Sequence, residues 1–157
     1  MIAVGNRLNL DFEVKVGIGG VKTSRAFKDL VEGPTLVSVY MRNNTGSCDK
    51  QMISLAASTD AIRGKGFAIL GVSRDTVGSH MKYTAKHEIG FPLISDPEYG
   101  FAQATDSLVE KKLYGRAFVG PSRSAYAIDQ DGTVLAICEK VDPANHGEQL
   151  LALIEGL

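Results

Sequence analysis

The architecture of this chain can be traced from residues 36–51, which read LVSVYMRNNTGSCDKQ. Residues 36–40 follow Gly33-Pro34 and are mostly apolar, which is typical of a buried central strand. A polar loop from Met41 to Ser47 comes next. Apolar residues then recur at helical spacing, at Met52, Leu55, Ala56, Thr59 and Ile62. We therefore predict that the strand leads into one helix, which ends at Gly64 and Gly66.

Strands and helices continue to alternate on both sides of this unit. Towards the C-terminus we predict, in order, a buried strand at 67–72, a polar helix at about 76–88, a short strand at 91–94, a short helix near 98–105, strands at 124–129 and 133–138, and a helix at about 146–155. The last two strands flank Asp131-Gly132, a dipeptide typical of a hairpin turn. Near the N-terminus, Gly17-Ile18-Gly19-Gly20 lacks phosphate-loop spacing and predicts a second hairpin.

This order of elements predicts an α/β chain with a thioredoxin-like fold: a central mixed β-sheet flanked by helices, with an N-terminal β-hairpin. The length of 157 residues is near the value of about 150 that is typical of one domain. Because the sequence has no linker and no internal repeat, we expect a single domain over residues 1–157.

Composition argues against several classes of protein. The 17 Lys and Arg residues nearly balance the 18 Asp and Glu residues, so we expect no nucleic-acid or membrane partner. No apolar run reaches the roughly 20 residues that cross a bilayer, and Met1–Leu10 has no signal pattern, which predicts a cytoplasmic protein. His80, His87 and His146 lack metal-ligand spacing, so we expect no metal. We interpret Lys111-Lys112 with Arg116 as a solvated loop.

Cys48 is the first candidate for chemistry. It follows the central strand, at the predicted first turn of the next helix, where main-chain N–H groups stabilise a thiolate. A small buried structural cysteine is the alternative. The segment Thr45-Gly46-Ser47-Cys48 has threonine where a CxxC motif has its first cysteine, which excludes a thioredoxin-type dithiol.

Four segments occur in one order along the chain: Thr45-x-x-Cys48-x-x-Gln51 after a strand, Gly71-Val72-Ser73-Arg74-Asp75, Phe91-Pro92-Leu93-Ile94-Ser95-Asp96, and Arg123-Ser124-Ala125-Tyr126-Ala127-Ile128-Asp129-Gln130-Asp131-Gly132. Together they resemble the peroxiredoxins, in particular the bacterioferritin comigratory protein, or peroxiredoxin Q, branch. The resemblance spans about residues 36 to 134.

The resemblance implies a thiol peroxidase that needs no cofactor. Cys48 would be the peroxidatic cysteine, whose thiolate attacks hydrogen peroxide, with organic hydroperoxides as a further substrate class, and becomes a sulfenic acid. Thr45 would hydrogen-bond the sulfur and the peroxide, and Arg123 would stabilise the charge of the thiolate and the transition state. We assign Thr45, Ser47, Gln51 and Arg123 as candidate substrate-binding residues.

The chain departs from the family pattern in three places. The family usually has proline seven residues before the cysteine, where this chain has Met41, and proline after the threonine, where it has Gly46. Asp49 follows the cysteine, and its negative charge opposes a thiolate. A looser pocket and a slower reaction are expected. A redox-sensing or catalytically weakened protein and a thiol transferase remain alternatives.

A resolving cysteine of this branch lies five residues after the first or in the next helix, where this chain has Ile53 and, approximately, Thr84. Cys138 is the only other thiol, and we interpret it as a core cysteine, with a resolving role as the less favoured alternative. The prediction is a one-cysteine mechanism with an external thiol reductant, which could be thioredoxin, glutaredoxin or glutathione. The sequence is compatible with a monomer or a homodimer.

Overall fold

The computed structural model describes residues 1–157, apart from the side chain of Leu113. Its strands are β1 (Glu13–Ile18), β2 (Val21–Ala26), β3 (Thr35–Val39), β4 (Ala68–Ser73), β5 (Leu93–Ser95), β6 (Leu108–Leu113), β7 (Arg116–Pro121), β8 (Ser124–Ile128) and β9 (Val134–Cys138). Its α-helices are α1 (Gly46–Ala57), α2 (Thr59–Gly64), α3 (Val77–His87), α4 (Gly100–Ala104) and α5 (His146–Glu155), and Phe27–Leu30 and Pro143–Asn145 form 3₁₀ turns.

Seven strands form one mixed sheet in the order β2-β1-β5-β4-β3-β8-β9. The three central strands β3, β4 and β5 are parallel, and the remaining pairs are antiparallel. The predicted mixed sheet and N-terminal hairpin are confirmed. In that hairpin Gly19 and Gly20 both have positive φ, the backbone conformation that a two-residue turn requires.

The sheet has an apolar cluster on each face. Strand β3 serves both: Leu36 and Tyr40 belong to one cluster, and Val37 and Val39 to the other, as the two-residue period of a strand requires. The first cluster contains the buried side chains of α1, α2, α3 and α5. The second contains Phe101 of α4 and side chains of the N-terminal segment. Helices therefore flank both faces, as predicted.

The single helix predicted through residue 62 is wrong, because the chain divides it into α1 and α2. Ser58 lies between them with φ −100° and ψ 5°, and its N–H donates to the Leu55 carbonyl. The bend lies where α5 packs against α1. The N–H of Gly147 donates to Ser54 Oγ at 2.9 Å, and Gly147 leaves no room for a side chain against Ser54 and Ser58.

The loop predicted around Lys111 and Arg116 is also wrong. Strands β6 and β7 pair there as a separate two-stranded antiparallel sheet. Tyr114 and Gly115 form its turn, with φ values of 51° and 77°. Tyrosine is an uncommon first residue for such a turn, which usually has asparagine, aspartate or glycine there, so the turn signal is weak in the sequence.

Substitution of Gly147 by alanine should destabilise the protein by about 1–3 kcal/mol, because the added methyl group would overlap the Ser54 carbonyl and the Ser58 side chain. Urea unfolding measures the change. Gly64→Ala is the matched control: this helical glycine has free space around an added Cβ, so alanine should stabilise by roughly 0.5–1 kcal/mol. Equal stabilities of the two variants would contradict the packing described for α1 and α5.

Candidate functional site

Cys48 is the third residue of α1 and lies at the positive end of its dipole. Thr45, the residue just before α1, has an extended backbone (φ −123°, ψ 142°) and is the N-cap of the helix. The N–H of Asp49 donates to the Thr45 carbonyl at 2.8 Å, and this is the first turn of helical bonding. The main-chain N–H groups of residues 46–48 come before this first helical hydrogen bond. They point towards the start of the helix, where they stabilise negative charge.

The side chain of Arg123 contacts the sulfur of Cys48. Its Nη2 atom donates to Cys48 Sγ at 3.4 Å. The side chain of Cys48 is only 1% exposed, and its thiol is free. The antiparallel register of β3 with β8 pairs Val39 with Ser124, so Arg123 leaves the sheet next to Tyr40. A fixed guanidinium beside a buried sulfur favours the thiolate.

The loop that precedes α1 is anchored through Asn43. Its amide accepts a hydrogen bond from Tyr40 at 2.7 Å, donates to Ser79 Oγ at 3.1 Å and lies 3.1 Å from His80 Nδ1. Its main-chain N–H donates to Asp75 Oδ2 at 2.9 Å. Burial lowers the pKa of His80, which keeps the ring neutral and able to accept a hydrogen bond. The loop is thereby held against β4 and α3.

Asp49, the acidic neighbour of Cys48, is bonded to α3. The Tyr83 hydroxyl donates to Asp49 Oδ1 at 2.6 Å. Burial, and secondarily this bond to a carboxylate, raises the pKa of Tyr83, so the phenol keeps its proton. The hydrogen bond fixes the carboxylate and disperses part of its negative charge.

The other residues predicted for the site differ in how far their side chains are exposed to solvent. Thr45 Oγ1 donates to the Arg42 carbonyl at 3.0 Å, and Ser47 is exposed at the start of α1. Gln51 was predicted to bind substrate, but it is fully buried, and its Nε2 donates to Ser38 Oγ at 3.0 Å and to the Val39 carbonyl at 3.3 Å. Of the predicted residues, Arg123 is therefore the one whose side chain contacts the cysteine.

Beneath α1, Ser38 connects Gln51 to a buried histidine. Ser38 Oγ lies 2.9 Å from His146 Nε2, and His146 Nδ1 lies 3.1 Å from Gln149 Oε1. Burial lowers the pKa of His146 to about 4, with the positive charge of Arg123 acting in the same direction. These bonds join β3, α1 and α5, and sequence reasoning gave no signal for them.

Cys138 ends β9 and belongs to the same apolar cluster as Cys48, with both thiols free. Its Sγ lies 3.6 Å from the Lys140 carbonyl. Burial raises the pKa of the Cys138 thiol, which keeps it protonated at neutral pH.

Sequence reasoning missed Lys111 as a residue near the site. Its ammonium lies 2.8 Å from the sulfur of Met41, in the loop before Cys48. Residues 108–113 lack the alternation of apolar and polar side chains that is typical of a strand, so Gly115 in the following turn was the local signal that could have revealed the hairpin.

The described residues include no cluster of three or more His, Cys, Asp or Glu side chains suited to a metal ion. None of their helices is both long and apolar enough to cross a membrane.

Sequence comparison places the chain among known proteins. The AhpC/TSA family model matches residues 4–137. Peroxiredoxin Bcp of Xanthomonas campestris pv. campestris is 32% identical over 120 residues, covering 76% of this chain and 75% of that protein. Peroxiredoxin Bcp of Bacillus subtilis is 28% identical over 118 residues, which are 75% of each chain.

Structural comparison gives the same assignment. A solved structure of the Xanthomonas campestris bacterioferritin comigratory protein, described for its alkyl peroxide reduction activity, superposes with a TM-score of 0.83 at 27% identity and covers 98% of both chains. Peroxiredoxin Q of the same organism gives a TM-score of 0.81 at 29% identity, over 94% of this chain and 91% of that one. The predicted thioredoxin-like fold is confirmed.

The buried His146 should make stability fall in mild acid. In the folded protein its pKa is about 4, below the ordinary value of 6.5. Between these values the unfolded chain binds a proton that the folded chain does not, so stability is full above about pH 6.5 and is lost as pH falls towards 4. The loss attributable to His146 is about 3 kcal/mol.

Urea unfolding at several pH values measures this dependence. His146→Gln can retain a hydrogen bond to Ser38 but cannot titrate, so its stability should fall less steeply between pH 6.5 and 4. His80, whose pKa is lowered in the same direction, contributes to the slope that remains. Identical slopes for the variant and the wild type would contradict the argument.

Proline should be tolerated at position 46. Gly46 is the first residue of α1, where the missing N–H is not needed for helical bonding, and Thr45 already has the extended conformation that proline requires of its predecessor. An added Cβ meets no atom within 4 Å. Gly46→Pro should stabilise the fold by about 0.4–1 kcal/mol in urea unfolding. With Gly46→Ala as the control, a proline variant below wild-type stability would contradict the described helix start.

Proposed function

The chain belongs to the AhpC/TSA family and is a thiol peroxidase, and on that premise we propose that Cys48 is its peroxidatic cysteine. The single observation that carries the proposal is the 3.4 Å hydrogen bond from Arg123 Nη2 to Cys48 Sγ at the start of α1. The helix end and the guanidinium both favour the anionic form of the sulfur, which is the nucleophile.

The thiolate attacks the terminal oxygen of a hydroperoxide, the one that carries the hydrogen. A sulfur–oxygen bond forms as the oxygen–oxygen bond breaks, so Cys48 is oxidised to a sulfenic acid and the peroxide is reduced. The second oxygen leaves as an alkoxide, or as hydroxide from hydrogen peroxide, and takes a proton from solvent. Negative charge thus moves from sulfur to oxygen, and a guanidinium that already contacts the sulfur can stabilise it throughout.

Thr45 and Ser47 serve as substrate-binding residues at the start of α1. Because the Thr45 hydroxyl donates its proton to the Arg42 carbonyl, its lone pairs remain able to accept the O–H of the hydroperoxide. Ser47 is exposed and offers a second hydroxyl. Gln51 acts differently: its bonds to Ser38 and Val39 fasten α1 to β3 and so position Cys48.

An external thiol returns the enzyme to its reduced form. One thiol condenses with the sulfenic acid to give a mixed disulfide and water, and a second thiol releases Cys48 and leaves as a disulfide. Ile53 and Thr84 offer no resolving thiol, and the buried Cys138 keeps its proton. Thioredoxin, glutaredoxin and glutathione are the candidate reductants, and the two free thiols suit a reducing, cytoplasmic location.

Hydrogen peroxide and alkyl hydroperoxides are the proposed substrates. The alkyl class rests on the similar Xanthomonas campestris protein, whose structure was described for alkyl peroxide reduction. The chain spans nearly the whole of that protein, so the likeness is not limited to a fragment.

Replacement of Cys48 by serine should abolish peroxide consumption, and Arg123→Met should lower the second-order rate constant by about 10²-fold, the size typical of a lost oxyanion donor. Stopped-flow oxidation and peptide mapping with a sulfenic-acid trap measure both effects. Cys138→Ser is the control and should retain turnover with an external thiol.

Each alternative predicts a different result. Trapping of oxidised Cys48 without turnover by any thiol would identify a sensor. Full disulfide reductase activity with slow peroxide reaction would identify a transferase. Unchanged peroxide turnover in Cys48→Ser would overturn the proposal, and a Cys48–Cys138 disulfide after one equivalent of peroxide would overturn its one-cysteine form.

A further inference from the structure

Lys111 contacts the loop that precedes Cys48 and has no role in the mechanism above. It projects from β6, is half-buried, and its ammonium lies 2.8 Å from Met41 Sδ. Met41 in turn packs against the apolar cluster that contains Cys48. The hairpin that carries Lys111 on one strand continues from its other strand into Arg123. One structural unit therefore places a guanidinium against Cys48 and an ammonium against Met41, in the loop before Cys48.

The charge of Lys111 is not neutralised by an acidic partner. Among the described residues, no carboxylate lies within ion-pair distance of its ammonium. Burial lowers the pKa of Lys111, and the positive charge of Arg123 lowers it further, whereas negative charge on Cys48 raises it. The thioether of Met41 is a weak acceptor that positions the ammonium but does not cancel its charge.

The other charged and titratable groups near Cys48 do not neutralise the positive charge of Lys111. Arg123 contributes one positive charge. Asp49, on the same helix as Cys48, is the opposing negative charge and is hydrogen-bonded by Tyr83. Tyr83 and the buried Tyr40 both have raised pKa values, mainly through burial, and are neutral at physiological pH. A second cation therefore changes the balance at the sulfur.

We propose that Lys111 is a second cation of the peroxide site, held by Met41, whose positive charge stabilises the Cys48 thiolate and the oxyanion that leaves when the oxygen–oxygen bond breaks. The inference rests on the proposed function and adds an electrostatic residue to it. It also assigns a role to Met41, which occupies a position where the family usually has proline.

Lys112 provides a matched control. It is the next residue of β6, so its side chain points to the opposite face of the strand, and it is exposed. Both lysines carry the same charge on the same strand, so a loss specific to position 111 cannot arise from net charge or from strand propensity.

The test compares Lys111→Met, Lys111→Gln, Lys111→Arg and Lys112→Met. Two quantities are measured: the second-order rate constant for oxidation of Cys48 by hydrogen peroxide, and the pH at which iodoacetamide alkylates Cys48 at half its maximal rate. We expect both neutral variants at 111 to lower the rate constant roughly tenfold, as loss of one nearby charge in a partly buried site predicts, and to move the alkylation midpoint to higher pH. Lys111→Arg should restore most of both quantities, and Lys112→Met should change the rate constant by less than about twofold.

A purely structural role for Lys111 would not move the alkylation midpoint and would not be rescued by arginine. Wild-type rates in both neutral variants, or equal losses in Lys111→Met and Lys112→Met, would overturn the inference. Failure of the proposed function gives a different result: the wild-type protein itself would not form a sulfenic acid at Cys48. Because two neutral side chains are tested, a folding defect in one of them leaves the other to decide.

Discussion

The antiparallel register between β3 and β8 is the constraint on which the candidate site depends. Val39 opposes Ser124, so the residues just beyond them leave the sheet side by side, and Arg123 meets the sulfur of Cys48 where α1 begins. Because side chains alternate between faces, a slip of one residue would turn Arg123 away from this edge. The side chains of β8 oppose such a slip, since it would exchange the small Ala125 and Ala127 of one apolar cluster with the large Tyr126 and Ile128 of the other.

Two buried polar networks hold the helix start from opposite sides. Asn43 joins the preceding loop to β4 and α3, and Gln51 joins the helix to β3 through Ser38, with His146 bonded behind it. Buried hydrogen bonds of this kind add little net stability but are costly to break, so they select one arrangement of the backbone. The position of Cys48 is thus fixed by polar contacts that have no part in the chemistry.

Most of the sheet was accessible from sequence, because buried strands and hairpin turns have local signals. The pairing of Arg123 with Cys48 was expected only from the resemblance to the peroxiredoxins, since no local pattern distinguishes this arginine from a surface charge. The break at Ser58 was not accessible, since it lies at a tertiary contact: Gly147, 89 residues later in the chain, packs there against Ser54 and Ser58. The hairpin of β6 and β7 was missed because its turn begins with Tyr114 instead of a usual turn residue. Gln51 shows a different limit of sequence reasoning. A motif gives the order of residues along the chain, but the burial of each side chain decides whether it can contact a ligand.

The departures from the family pattern can be explained by their effect on the charge around Cys48. Cys48 is almost completely buried, and charges interact more strongly there than in water because fewer water molecules screen them. Asp49 brings a negative charge next to the sulfur, but its hydrogen bond to Tyr83 draws part of that charge towards α3. In the loop before Cys48, a flexible thioether at position 41 can accept an ammonium that a proline ring could not bind. In the proposed site, the loop therefore holds a cation at the position where the family usually has proline, and this positive charge offsets the carboxylate of Asp49.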